Sequence, residues 1–111
     1  MDKVKKYEAI ILKILEDRAA IRYAHPEVET ELVIDKENHR YQSLAMGWDG
    51  YKRIHAVTLH FDIIDGKIWI QQDQTEYGIA DELLAAGVPK SDIVLSYLSL
   101  PRRKELDFAM A

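Results

Sequence analysis

The chain has no cysteine. That removes disulfide frameworks, thiolate nucleophiles and cysteine-based zinc sites together. Long apolar runs are missing too: nothing approaches the roughly 18 consecutive residues of a membrane span. The opening stretch MDKVKKYEAIILKILEDR is charged at regular intervals and lacks the apolar core of a signal peptide. A cytoplasmic protein, with no membrane association, is the expectation. Positive charge is in deficit, with 15 Lys and Arg against 19 Asp and Glu. Nucleic-acid binding draws much of its affinity from neutralising phosphates, so autonomous DNA or RNA binding is not expected. No internal repeat, linker or low-complexity segment interrupts the chain. What remains, 48% hydrophobic and 31% charged over 111 residues, is the composition of one folded domain spanning 1–111.

The apolar pattern changes period twice. Val4, Tyr7, Ile11, Ile14 and Leu15 fall three and four apart, predicting an amphipathic helix from Asp2 to Ala20 with Asp2 as its cap. His25-Pro26 ends that pattern. Strand-like stretches come next: VETELVID, RYQSLAMGW, RIHAVTLHFDII and KIWIQQD, joined by KENH, DGYK and Asp65-Gly66. Such short connections predict an antiparallel meander. Thr75 reads as the N-cap of a second helix in EYGIADELLAA, stopped at Gly87 and Pro89. DIVLSYL reads as a short fifth strand, and PRRKELDFAMA as a C-terminal tail. The expected class is therefore α+β.

The third hairpin is the informative one. A two-residue turn at Asp65-Gly66 pairs Ile64 with Lys67, Ile63 with Ile68, Asp62 with Trp69, Phe61 with Ile70 and His60 with Gln71. Strict alternation then puts Val57, Leu59, Phe61, Ile63, Ile68 and Ile70 on a core face. Thr58, His60, Asp62, Lys67, Trp69, Gln71 and Asp73 fall on the opposite, polar face.

Asp62, Asp65 and Lys67 spell the letters of a metal-dependent nuclease centre, in which carboxylates hold a metal and a lysine orients the attacking water. Turn geometry argues against it, because Asp65 occupies the reversal and points away from Asp62. His55 and His60, five apart on a regular strand, fall on opposite faces and share no ion. His25 and His39 lie in turns with no paired ligand. Phosphate loops, nucleophile elbows and zincin motifs are missing. No catalytic residue, metal or cofactor is expected. Arg102 to Lys104 reads as a solvated basic run. The polar face, carrying His60, Asp62, Trp69 and Gln71 and extended by Trp48 and Arg53, is the candidate for binding a partner or a second copy.

The stretches GWDGYKRIH, HFDIIDGKIWIQQDQTEYGIADELLAAGVPKSDIVL and DFAMA resemble the XisI family, the fdxN element excision controlling factor. The similarity runs along nearly the whole chain, in the ordered succession Gly47-Trp48, Arg53, Asp65 to Ile70, Thr75-Glu76, Gly78 to Ala80, Ala86 to Pro89 and Ile93 to Leu95. Arg103 and Phe108 match expected positions, whereas Leu106-Asp107 replaces a usual small polar residue. The resemblance implies a small α+β cytoplasmic protein of filamentous cyanobacteria. It implies a non-enzymatic accessory role with a XisH-like partner, in excision of a DNA element by a separate site-specific recombinase. It carries over no catalytic residue. The alternative is a small metal-dependent nuclease or hydrolase centred on Asp62, Asp65 and Lys67.

Overall fold

A computed structural model describes residues 2–21 and 27–111. The expected break at His25-Pro26 lies outside these residues. Helix α1 spans Lys3–Ala19, and Asp2 caps it by accepting the Val4 N–H at 3.0 Å. Its buried residues, Tyr7, Ile11 and Leu15, are four apart and form one stripe. Strands β1 (Val28–Asp35), β2 (Arg40–Asp49), β3 (Lys52–Ile64) and β4 (Lys67–Asp73) form the antiparallel meander. Helix α2 (Ala80–Ala85) and a 3₁₀ turn (Lys90–Asp92) lead to β5 (Ile93–Val94), which pairs parallel to β4. The five strands form one sheet in sequence order, and a short helix α3 (Leu100–Lys104) precedes the C-terminal segment.

One face of the sheet is the core. Tyr41, Leu59, Phe61, Ile68 and Ile70 pack there with Ile11 and Leu15 of α1, Ile79 beside α2, and Leu83 within it. Turn chemistry is as expected at Asp65-Gly66, where φ of 51° and 73° is the pair of positive values a type I′ turn requires. In the β1–β2 turn, Asp35 accepts from the Asn38 side chain and from the Asn38 and Glu37 amides. These donors, the Asn38 side chain foremost, hold the Asp35 carboxyl below its ordinary value. Gly47 answers a different need: a Cβ there would lie 1.9 Å from the Glu27 carbonyl oxygen, where the incoming chain crosses β2.

Several local expectations are corrected. Two β-bulges interrupt the ladders: Thr58 is the extra residue of β3 against β2, and Gln71 the extra residue of β4 against β3. His60 therefore pairs with Gln72, not Gln71. A bulge also reverses the sense of alternation beyond it. Val57 consequently shares the outer face with its partner Leu44, and Thr58 turns inward, donating to the carbonyl of buried Ser43 at 3.0 Å. Asp73, paired with core residue Leu59, leaves the outer face as well.

Asp73 also displaces the predicted helix cap. Its Oδ1 accepts from the Thr75 N–H at 2.9 Å, and its Oδ2 accepts from the Ile79 N–H at 2.8 Å. Helix α2 therefore begins at Ala80, with Ile79 in the cap position, rather than just after Thr75. Gly78, read as helical from sequence, precedes the helix at φ 84°, a left-handed conformation that favours glycine.

The C-terminal segment is more ordered than a solvated tail. Arg103 donates to three carbonyls, Leu98 at 3.0 Å, Ser96 at 3.2 Å and Met110 at 3.2 Å. Ala109 forms a parallel bridge to Val94, and its N–H donates to the Ile93 carbonyl at 3.0 Å. Phe108 packs against the core, with the Lys90 ammonium over its ring at 5.6 Å.

Candidate functional site

All six residues singled out for recognition carry their side chains on the outer face of the sheet, opposite the helix-covered core. They form two groups. Near the β3–β4 hairpin, Asp62 and Trp69 are register partners. His60 Nε2 donates to Asp62 Oδ1 at 2.9 Å, and Gln71 Nε2 donates to Asp62 Oδ2 at 3.2 Å. Gln42 of β2 donates to His60 Nδ1 at 3.4 Å, which assigns the ring the tautomer with hydrogen on Nε2. Gln71, the extra residue of its bulge, reaches the same carboxylate as His60 without pairing with a β3 residue.

The second group lies at the other end of the face. Trp48 and Arg53 are register partners across the β2–β3 hairpin, with the guanidinium 5.4 Å from the indole centroid. Trp48 is 48% exposed. Between the two groups stand Leu44, Met46 and Val57, all half-buried, with exposed Val33 beside them on β1. Sequence reasoning missed this apolar centre. Leu44 and Met46 were legible in the alternation of SLAMGW, but Val57 reaches this face only through the Thr58 bulge.

The same bulge corrects the histidine assignment. His55 pairs with Met46 and His60 with Gln42, so both sit on the outer face rather than on opposite ones. Trp69 is half-buried beside Val94 of β5, which is fully buried.

The nuclease-like letters are not brought together. Both oxygens of Asp62 are taken by His60 and Gln71. Asp65 sits at the tip of its turn, and Lys67 Nζ donates to the Ala111 carbonyl oxygen at 2.7 Å. Among the described residues, no cluster of three or more His, Asp or Glu side chains is placed to hold a metal ion. No helix among them is long and apolar enough to cross a membrane.

Helices on one face of a mixed five-stranded sheet, and an outer face half polar network and half aliphatic, define a small two-layer α+β protein. This chain belongs to the XisI family: the family described as XisI protein matches residues 1–110. Two crystal structures from Anabaena variabilis ATCC 29413 share its fold. One is a XisI-like protein, 40% identical, covering 96% of this chain and 97% of that one, with a TM-score of 0.88. The other is the fdxN element excision controlling factor XisI, 37% identical, covering 99% of this chain and all of that one, with a TM-score of 0.85. No curated protein matches the chain.

Proposed function

We infer that this chain is a cytoplasmic, non-catalytic accessory factor of the XisI kind, one domain acting through a protein partner in the control of DNA element excision. The observation that carries this reading is end-to-end similarity to a protein described as an excision controlling factor. The partner implied by the family resemblance is a XisH-like protein, and the strand chemistry falls to a separate recombinase.

The outer sheet face is the docking surface in this reading. A large aromatic framed by hydrogen-bonding groups, next to half-buried aliphatics and exposed Val33, is the composition of an interface centre. A net charge of −4 favours a protein partner over DNA.

The test is co-purification with a XisH-like protein, followed by titration. Trp69→Ala is expected to weaken that complex by about 2 kcal/mol, or roughly 30-fold, with the fold intact. Unchanged affinity would remove Trp69 from the interface. Tight Mg²⁺ or Mn²⁺ binding that Asp62→Asn abolishes would replace this reading with the metal-dependent hydrolase centred on Asp62, Asp65 and Lys67.

A further inference from the structure

The two edges of the sheet are finished differently. At the β5 edge, Ala109 bridges Val94, so the C-terminal segment occupies the backbone groups there. At the β1 edge, no described residue pairs with the strand. Alternation identifies the backbone groups left over. The Trp48 N–H donates to the Glu27 carbonyl, so residue 27 directs its hydrogen bonds toward β2. Counting along an antiparallel ladder, Glu29, Glu31, Val33 and Asp35 do the same. Val28, Thr30, Leu32 and Ile34 therefore point their N–H and C=O groups outward. Among the described residues, none of these groups has a hydrogen-bond partner.

An eight-residue free edge is a template for another strand, and proteins usually blunt one with lysine, proline or a bulge. Strand β1 has none of these within Val28–Asp35, and its ladder with β2 runs without a bulge. It carries acids instead. Glu29 and Glu31 are exposed and face Met46 and Leu44, so neither has a cation opposite it on β2. Asp35, by contrast, faces Arg40.

We propose that the free edge of β1 receives an extended segment of a partner protein as a sixth strand, and that this segment alternates basic with aliphatic residues. Basic side chains then lie opposite Glu29 and Glu31 on the outer face. The alternate aliphatics fall on the helix side, beside half-buried Val28, Thr30, Leu32 and Ile34. A cleft of about 620 Å³ opens there, bordered by Val28, Thr30 and Ile21, and has room for them. The same charges select against a second copy of this chain. A twofold pairing of β1 with itself brings acids of both copies together, and directly opposed like charges on paired strands are destabilising.

The pairing does not depend on what occupies the outer face. It is tested with a ten-residue peptide of strictly alternating Lys and Val and residue-resolved amide exchange of the full chain. Added peptide is expected to slow exchange at least tenfold at Val28, Thr30, Leu32 and Ile34. Glu29 and Glu31, already bonded to β2, stay as they were. Thr30→Pro removes an outward N–H without touching the β1–β2 ladder, as edge positions permit, and should weaken the peptide at least tenfold. Glu29→Lys with Glu31→Lys keeps the backbone and should turn the preference to an alternating Glu and Val peptide. Trp69→Ala should leave all of these signals unchanged, which separates this edge from the outer face. The proposal is overturned by unchanged exchange at the four outward amides in millimolar peptide. Equal binding of a peptide with its lysines and valines in separate blocks overturns it too, as does undiminished binding by either β1 variant.

Discussion

The Tyr41 hydroxyl of β2 donates to Glu8 of α1 at 2.6 Å, and the same oxygen lies 2.9 Å from His39 Nδ1. One buried phenol thus joins the sheet, the helix and the β1–β2 turn. Burial first, and then the Glu8 carboxylate, push the Tyr41 phenol well above its ordinary value. Tyr41→Phe keeps the ring packing and deletes these bonds. It should lower unfolding stability by about 1–2 kcal/mol, read from the urea midpoint at an unchanged slope.

Gly47 sits where a side chain has no room, with the Glu27 carbonyl 1.9 Å from a built Cβ. The obstacle is backbone, so no rotamer relieves it. Gly47→Ala should cost roughly 2 kcal/mol or more by forcing the start of β1 off β2. Gly50, with nothing within 4 Å of its Cβ position, is the control for a steric effect. Its φ of 59° leaves only backbone strain to a substitution there, about 1 kcal/mol.

Arg103 gathers the carbonyls of Leu98, Ser96 and Met110 around one guanidinium. Arg103→Ala should release the segment from Glu105 to Ala111, seen as faster proteolytic nicking there before any global unfolding. Arg103→Lys should rescue it poorly, because an ammonium lacks the planar fork that spans separate acceptors.

Tyr7 lies one residue before Glu8, near the N-terminal end of α1. Its hydroxyl donates to Asp92, which also pairs with Lys3 at 3.3 Å. Burial, followed by the Asp92 hydrogen bond and charge, pushes the Tyr7 phenol up to about 12 from 10.0. The neutral form is therefore favoured in the folded state. Below pH 10 the contribution is fully present; between pH 10 and about 12 the unfolded chain loses its proton first, so stability falls as pH rises. Comparing urea unfolding across that range, Tyr7→Phe should show a shallower alkaline loss than the parent chain.

The elements were legible in the sequence because their signals are local. VETELVID is strand β1 residue for residue, and the Asp65-Gly66 turn fixes the hairpin register from Ile64–Lys67 to Phe61–Ile70. Beyond Phe61 the reading fails for one physical cause. Thr58 and Gln71 are ordinary strand residues, and neither announces a bulge. Each adds one residue to a ladder, and each exchanges faces for the residues beyond it. That moved Val57 and His55 outward and Asp73 inward. The start of α2 was missed for a related reason: Thr75 has the chemistry of a cap, but Asp73, once turned inward, satisfies the loop and the Ile79 amide itself. Arg103 carried no local signal, since its three acceptors are brought within reach only by the folding of the C-terminal segment.

For the history of the chain, the bulge at Thr58 brings together two kinds of mutation that are usually considered apart. Replacing its side chain forfeits the hydrogen bond to Ser43 and little else. Deleting the residue removes the bulge without changing the phase: Val57 then follows Leu59 directly, still opposite Leu44, so Arg53 and His55 keep the outer face and Ile54 and Ala56 the inner one. A lineage can therefore change this residue or lose it and keep both faces of the hairpin, so a gap there is a straightened ladder and not a change of architecture.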